Sequence, residues 1–367
     1  MRIALIHHSD DLTNDFEAYL ATLLDEAAGS NNYAIKDYDS IRRGYEPVAG
    51  TDVLLHIVIP ANSNFAIKYW YAVKLPAILR KYAIDKVLCM YSIGIRSTVS
   101  QCLILSDISF FEISKGMNTW QKYAAKNLAK SVANATNIIT YSNAVKNKIE
   151  EKSPSAAART TVFPYTAGTF FKPMEWHDKL YVKSRYSENK EYFVAVLPDD
   201  NEVIFTDLLK AYSKFKKWQQ SNMQLVLLPK EDGFSQAIDN KLQTYKYRND
   251  VKLVNDADRK ETADIIGTAW ALIHFPFQDS DIWPVTTALQ CGIPIITTKS
   301  ESMNEYCGDA ALYVQNGNTE ESGDTLIKLY KDEDLRTKLC GNAAAMAEKL
   351  QQDKTKDALW NFILPPK

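Results

Sequence analysis

Several features that mark other protein classes are missing from this sequence of 367 residues. No apolar run approaches the ~18 residues that a membrane-spanning helix needs. The net charge of −2 argues against a general nucleic-acid binder, because a phosphate backbone attracts strongly basic surfaces. The sequence therefore favours neither an integral membrane protein nor a nucleic-acid-binding one.

Cysteine is also scarce. The five cysteines are scattered, and no two have the spacing of metal ligands: Cys89, Cys102, Cys291, Cys307 and Cys340. We therefore expect reduced thiols, no metal site and a cytoplasmic location. The N-terminal residues MRIALIHHSDD run directly into a strand pattern, so no signal peptide is expected.

Motifs of several enzyme classes are absent as well. There is no G-x-x-x-x-G-K-[ST] phosphate loop, no H-E-x-x-H zinc helix and no G-x-S-x-G nucleophile turn. The histidines His56, His177 and His274 stand alone in the sequence. His274 lies inside an apolar strand, where a buried, hydrogen-bonded imidazole is expected.

What the sequence does contain is an alternation of short apolar strands and amphipathic helices, typical of an α/β protein of two domains. Its clearest unit has a strand at Ala271–Phe277, a polar loop at Gln278–Asp281, a short helix beginning near Pro284 and a strand at Ile293–Thr297. The N-terminus of the helix in such a βαβ unit points at the carboxyl edge of the sheet. Its free N–H groups form an anion site.

This stretch resembles the donor-binding segment of retaining GT-B glycosyltransferases of the "glycosyl transferases group 1" kind, family 4. Their pattern is roughly E-G-F-G-L-P-V-L-E-A-M-A-C-G-T-P-V-I, followed by S-x-x-x-E-x-x-G-D-A-A-L. This chain matches it at Pro284, Val285, Ala288, Cys291, Gly292, Pro294, Ile296, Ser302, Glu305, Gly308, Asp309, Ala310, Ala311 and Leu312. The resemblance implies the GT-B fold, with two Rossmann-like α/β domains facing a central cleft.

A second segment, residues 164–173, resembles the interdomain linker of the family. It implies an N-terminal, acceptor-side domain over residues 1–167 and a C-terminal, nucleotide-sugar-side domain over residues 168–367. In GT-B proteins the last helix usually crosses back to the first domain. Trp360 and Phe362 are the side chains expected to anchor it there.

The resemblance also implies roles for individual residues. Asp279 and Thr287 align with the family's paired glutamates, so Asp279 is expected near the donor-sugar hydroxyls and Thr287 near the ribose. Asp107 keeps the family's position near the reacting carbon, and Ser106 stands where the family has a histidine. The residues expected at the reacting centre are Ser106, Asp107 and Asp279, and those expected to bind the donor are Ser280, Asp281, Trp283, Thr286 and Thr287.

Three departures from the family pattern weaken the expected site. Ser106 can hydrogen-bond a sugar but cannot act as a base near neutral pH. Thr287 can make one hydrogen bond to ribose where glutamate makes two, which would lower the affinity by about 1–3 kcal/mol. The loop 198–202 is acidic where the family has Arg and Lys for the β-phosphate, and no Lys or Arg occurs from Leu197 to Leu209.

Two features of the N-terminal domain leave alternatives open. His7 and His8 close the first strand, either as a base or substrate contact or as part of a polar loop without a special role. Residues 65–86 carry five basic residues, one acid and five aromatics. Such a helix either touches an anionic membrane surface or lipid-linked acceptor, or is an ordinary solvated helix, interrupted at Pro76, whose aromatics pack inward.

The first hypothesis is therefore a retaining, metal-independent glycosyltransferase without a cofactor. It would move a hexose from a nucleotide sugar to a glycan or lipid-linked glycan acceptor, in the cytoplasm or peripherally on the inner membrane face. The alternative, favoured by the acidic loop, is a catalytically inactive GT-B protein that binds a glycan or a glycosyltransferase partner. A third hypothesis is another GT-B activity, such as a sugar-nucleotide epimerase.

Overall fold

The structure is a computed structural model of the chain. It describes residues 1–8, 15–42, 51–60, 63–90, 95, 97–106, 119–166, 171–197, 202–218, 221–229, 236–255, 257–276, 281–352 and 356–364. The chain divides into two compact units. Met1–Pro164 and Asp353–Lys367 form the first unit, and Tyr165–Gln352 form the second.

The first unit is built on a parallel sheet. Its strands are β1 (Arg2–His8), β2 (Ala34–Asp37), β3 (Val53–Ile59), β4 (Lys86–Cys89), β5 (Ser100–Ile104), β6 (Asn137–Thr140) and β7 (Thr160–Val162). They lie in the order β2-β3-β1-β4-β5-β6-β7. The helices are α1 (Asp15–Ser30), α2 (Tyr38–Arg42), α3 (Asn64–Tyr69), α4 (Leu75–Lys81), α5 (Thr119–Asn134), α6 (Asn143–Lys152) and, numbered last in the chain, α15 (Lys356–Ile363).

The second unit repeats this plan. Its strands are β8 (Tyr192–Leu197), β9 (Gln224–Pro229), β10 (Val251–Leu253), β11 (Ala271–His274), β12 (Ile295–Thr298) and β13 (Ala311–Val314), in the order β10-β9-β8-β11-β12-β13. The helices are α7 (Trp176–Tyr186), α8 (Glu202–Trp218), α9 (Gln236–Gln243), α10 (Arg259–Thr268), α11 (Trp283–Gln290), α12 (Glu301–Cys307), α13 (Thr319–Lys331) and α14 (Glu333–Gln352). Two parallel sheets covered by helices confirm the predicted α/β class.

The last helix packs within the first unit, against α1. Trp360 meets Tyr33 edge to face with ring centroids 4.9 Å apart, and Phe362 meets Phe163 at 5.6 Å. The buried ammonium of Lys86 donates to the carbonyl of Ile363 at the C-terminal end of α15. That carbonyl lies at the negative end of the helix dipole, where a cation is favourable.

Helices α3 and α4 are joined by a π-helical segment, Trp70–Lys74. The helical run does not stop at Pro76, because Pro76 lies in the first turn of α4, where its missing N–H is tolerated. Trp70 and Tyr71 are buried, whereas Phe65 and Tyr69 are exposed, so the aromatics divide between the inward packing and the surface contact that the sequence left open.

Candidate functional site

In open parallel sheets, ligands bind at the carboxyl edge where the chain reverses its direction of travel across the sheet. In the second unit the chain runs from β8 outward to β9 and β10, then returns to β11 and continues to β12 and β13. The reversal therefore lies between β8 and β11. The segments that follow these two strands lead into α8 and α11, so the predicted donor-binding stretch lies at this point.

The unit formed by β11, α11 and β12 agrees with the predicted strand, helix and strand. All four residues of β11 and all four of β12 are buried. Pro284 lies in the first turn of α11, and Gly292 follows the helix with a φ of +68°, a left-handed conformation that glycine adopts without steric cost. The short helix therefore begins and ends where local sequence chemistry dictates.

His274, the last residue of β11, holds the segment that enters α11. Its Nε2 lies 2.6 Å from the carbonyl oxygen of Asp281. Because a carbonyl only accepts, the proton must be on Nε2, and the imidazole donates it. Both residues are almost completely buried, so the bond is shielded from water. The expectation of a buried, hydrogen-bonded His274 is confirmed, and the contact fixes the position where α11 begins.

The N-terminus of α11 has no side-chain cap. Five other helices among the described residues are capped by a polar side chain, at Ser63, Ser142, Asp258, Ser300 and Asn318, whereas α7, like α11, begins without such a cap. Ile282 occupies the capping position of α11 and cannot accept a hydrogen bond through its side chain. The first turn thus offers backbone N–H groups and the positive end of the helix dipole to an anion.

The two threonines of α11 are both buried, Thr286 at 2% and Thr287 at 3% exposure. The Thr286 hydroxyl donates to the carbonyl of Trp283, 3.0 Å away, so its proton is engaged within the helix. Asp281 is also buried, whereas Trp283 is partly exposed. Asp281, Trp283, Thr286 and Thr287 thus lie together on one loop and one helix. Asp279 and Ser280 lie outside the described residues.

A cation that the sequence analysis missed reaches the N-terminus of α8. The Lys241 ammonium, on α9, lies 2.8 Å from a Glu202 carboxylate oxygen and 2.9 Å from the Thr206 hydroxyl. No Lys or Arg occurs from Leu197 to Leu209. The cation instead comes from a neighbouring helix that is distant in sequence, and it neutralises part of the acidic segment.

In the first unit, Ser106 is buried just after β5, and Asp107 lies outside the described residues. His7 is buried near the end of β1. The view of His56 as an isolated histidine was wrong. Its ring stacks on that of His7, and its Nε2 lies 2.8 Å from an oxygen of Asp25. His177 likewise has a partner, Asp178, at 3.1 Å.

Residues 179–346 match the family model described as "Glycosyl transferases group 1". The match begins in α7, ends in α14 and contains the whole of the β11–α11–β12 unit. This part of the chain is similar to that family. The uncapped helix and the His274 contact both lie within the matched segment.

Solved structures share the fold over the whole chain. WaaG, a glycosyltransferase involved in lipopolysaccharide biosynthesis, is 13% identical, with a TM-score of 0.75 and complete coverage of both chains. A glycosyltransferase from Rickettsia africae ESF-5 is 14% identical, with a TM-score of 0.71, covering 100% of this chain and 99% of that one. Anabaena Alr3699/HepE, solved with UDP and glucose, is 14% identical, with a TM-score of 0.67, covering 96% and 98%. No curated protein matches the sequence. The fold is that of the GT-B glycosyltransferases.

Proposed function

We propose that this protein is a retaining, metal-independent glycosyltransferase that moves a hexose from a nucleotide sugar to a glycan or lipid-linked glycan acceptor. The observation that carries the proposal is the uncapped N-terminus of α11, held by His274 at the reversal point of a group 1 domain. Backbone N–H groups in that position suit the diphosphate of a nucleotide sugar. One structural relative of low identity was solved with UDP and glucose, which agrees with this choice of ligand.

In this proposal each part of the site has a separate task. The first turn of α11 binds the diphosphate, and Thr287 contacts the ribose. Asp279 contacts hydroxyls of the donor sugar, and Asp107 with Ser106 lies near the reacting carbon. The Lys241 ammonium contributes positive charge beside the N-terminus of α8, where the leaving phosphate gathers negative charge.

The test is a calorimetric titration of the purified protein with UDP, GDP, their sugars and ADP-glucose. We expect micromolar binding of one nucleotide class. Thr287→Val keeps the buried volume but removes the hydroxyl, and should weaken that binding about fivefold. Thr325→Val is the matched control, because Thr325 also lies in a helix of the second unit but its hydroxyl bonds the carbonyl of Glu321. Absence of binding at millimolar nucleotide would contradict the proposal.

The second candidate function is a catalytically inactive GT-B protein that binds a glycan or a glycosyltransferase partner. Two observations favour it. The Thr286 hydroxyl proton is engaged within its own helix, and Glu202 places a carboxylate at the N-terminus of α8. Both reduce the attraction for a diphosphate. This candidate predicts no nucleotide binding in the same titration.

We further propose that the acceptor side of the first unit rests on an anionic lipid surface. Phe65, Tyr69 and Val73, spaced four residues apart, are 83%, 50% and 52% exposed. Basic residues flank them, namely Lys68, Lys74, Arg80 and Lys81. Apolar side chains beside lysine and arginine suit a helix lying in the membrane interface. No helix among the described residues is long and apolar enough to cross a bilayer.

A further inference from the structure

Three side chains of the first unit form a connected polar group that the proposed donor site does not use. They are His7 near the end of β1, His56 in β3 and Asp25 in α1. Asp25 Oδ1 lies 2.8 Å from His56 Nε2, and the imidazoles of His7 and His56 stack with centroids 5.5 Å apart and 16° between their planes. The group therefore links a carboxylate to two aligned rings.

The sheet face that carries this group opens toward its carboxyl edge. Alternate residues of β3 share one face. Along that face Leu54 is fully buried, the His56 side chain is 14% exposed and Val58 is 42% exposed. Val58 lies opposite His7 in the register of the two strands. A molecule arriving at the edge thus meets Val58 first and His56 next.

The same edge is the reversal point of the first sheet. From β1 the chain travels to β2 and β3 on one side, then passes to β4 and continues to β7 on the other. The general rule for open parallel sheets therefore places a binding crevice at the carboxyl end of β1. His7 is the penultimate residue of that strand.

The chemistry of the group suits a ligand with uncharged hydrogen-bond donors. In the tautomer whose Nε2 donates to the Asp25 carboxylate, the Nδ1 of His56 is a hydrogen-bond acceptor. Burial, with a smaller contribution from His56, lowers the pKa of His7 to about 4, against an opposing effect of Asp25. His7 is then neutral at physiological pH, and the carboxylate makes the group unfavourable for a phosphate. A sugar fits this group, because it carries uncharged hydroxyl donors on a partly apolar ring.

We propose that Asp25, His56 and His7, with the exposed Val58, form a subsite that binds hydroxyl groups of a saccharide acceptor. His56 Nδ1 accepts a hydrogen bond from a sugar hydroxyl, Asp25 orients the imidazole, and Val58 packs against C–H groups of the sugar. Asp25 and His7 are positioning residues. The inference rests on the proposed function only in naming the saccharide as the acceptor.

The test observes the imidazole nitrogens directly. The chain has five histidines, so a long-range proton–nitrogen spectrum of labelled protein can be assigned by single substitutions. Maltose, lactose and chitobiose serve as probes, each titrated separately. We expect at least one of them to shift the Nδ1 resonance of His56 and to leave His177, whose side chain is 81% exposed, unchanged.

Two variants and one control quantify the effect. His56→Phe keeps an aromatic ring against His7 but removes the acceptor, and should weaken saccharide binding about fivefold, as expected for one hydrogen bond. Asp25→Asn still accepts from Nε2 and should keep most of the affinity, because the amide oxygen orients the imidazole in the same way. His177→Phe should have no effect. If no probe shifts His56, or His56→Phe binds as well as the wild type, the inference is wrong.

A parallel titration with UDP separates this inference from the proposed function. His56→Phe should leave UDP affinity unchanged, because the residue belongs to the other unit. If UDP binds and no saccharide reaches His56, the subsite fails and the glycosyltransferase proposal stands. If a saccharide shifts His56 but no nucleotide binds, the subsite stands as a glycan-binding site and the glycosyltransferase proposal fails. Circular dichroism of each variant checks that it is folded.

Discussion

The carboxyl edges of the two sheets offer opposite chemistry. In the second unit the edge presents backbone N–H groups at the start of α11 and an ammonium from Lys241, both favourable to an anion. In the first unit it presents an imidazole that contacts a carboxylate and a second imidazole that burial keeps neutral. Two sheets of the same plan can therefore serve a phosphate-bearing and a hydroxyl-bearing ligand, because side chains added at the edge decide the chemistry.

The two edges also differ in how they are assembled. The second-unit edge comes mainly from one contiguous stretch, β11 to β12, whose turn, proline and glycine are adjacent in sequence. The first-unit group joins α1, β1 and β3, and Asp25 and His56 are separated by 31 positions in the sequence. Contiguous sites leave a sequence pattern, whereas dispersed ones become visible only when the fold brings them together.

The largest expected effect concerns His7 and the pH dependence of stability. The pKa of His7 is lowered from 6.5 to about 4 in the folded protein, so between these values the unfolded chain binds the additional proton. The free energy of unfolding should therefore rise with pH across this window and lose up to about 3 kcal/mol on acidification through it. Urea unfolding of the wild type and of His7→Gln, measured between about pH 4 and pH 7, should show this slope only in the wild type.

Carboxylates also make the free energy of unfolding depend on pH in the acid range. The control is therefore a histidine that lacks the burial and the His56 contact of His7. His177→Gln provides it, because the His177 side chain is 81% exposed. Its slope should equal that of the wild type. Equal slopes for His7→Gln and the wild type would mean that His7 titrates normally, and the neutral imidazole would no longer distinguish the first-unit edge from the second.

The next largest effect tests the cation of the second-unit edge. Lys241→Met removes the ammonium beside Glu202 and leaves that carboxylate unpaired near the diphosphate. We expect UDP affinity to fall by about 2 kcal/mol, the size of a charge-assisted hydrogen bond, as measured by calorimetry. Glu202→Gln should change affinity in the opposite direction.

Lys210→Met is the control for this change. Lys210 lies on α8 and pairs with Asp207 at 3.5 Å, away from the helix terminus. Exposed ion pairs of this kind contribute little, so its UDP affinity should match the wild type. A similar loss in both variants would show that only overall charge matters, and Lys241 would then have no local role.

Much of the fold was predictable from the sequence because its signals are local. Short apolar runs identified β11 and β12, and Pro284 identified the start of α11. Strand β2 and helix α2 were not predicted. β2 lies at the edge of its sheet, and its four residues are only partly buried or exposed, so its sequence lacks the apolar run that marks a central strand.

The site was less predictable, and Lys241 and His56 show why. The family pattern predicts a cation near the end of β8, whereas Lys241 comes from α9. No titratable residue stands next to His56 in the sequence, so its contacts with His7 and Asp25 leave no local signal. His56 lies opposite Leu5 and one strand from His7 because β1 pairs with β3 in this register. Neither the pairing nor the register can be deduced from the sequence of the two strands alone.

A smaller effect, on lipid binding, distinguishes two helices that expose aromatic side chains, α3 in the first unit and α7 in the second. Phe65→Ser with Tyr69→Ser should weaken binding to vesicles of phosphatidylcholine and phosphatidylglycerol by about 2 kcal/mol, because less apolar area enters the interface. Trp176→Ser with Tyr181→Ser is the matched control, since these α7 side chains are 69% and 66% exposed. Co-sedimentation measures the effect, and raised salt should weaken it. Equal losses in both double variants would mean that exposed aromatics bind lipid without regard to position.

The smallest effect concerns the attachment of α15. Lys86→Met keeps the aliphatic stem but removes the ammonium that donates to Ile363. Burial lowers the pKa of Lys86, so part of the hydrogen-bond energy is already offset by desolvation, and the net loss should be about 1 kcal/mol. Hydrogen exchange should show earlier opening of α15, and Lys130→Met, at an exposed position on α5, should leave that exchange unchanged. Because Lys86 lies in the first unit, UDP affinity should stay at the wild-type value. A loss of UDP binding would show that α15 couples the first-unit core to the donor site, and the two edges could then no longer be treated as independent.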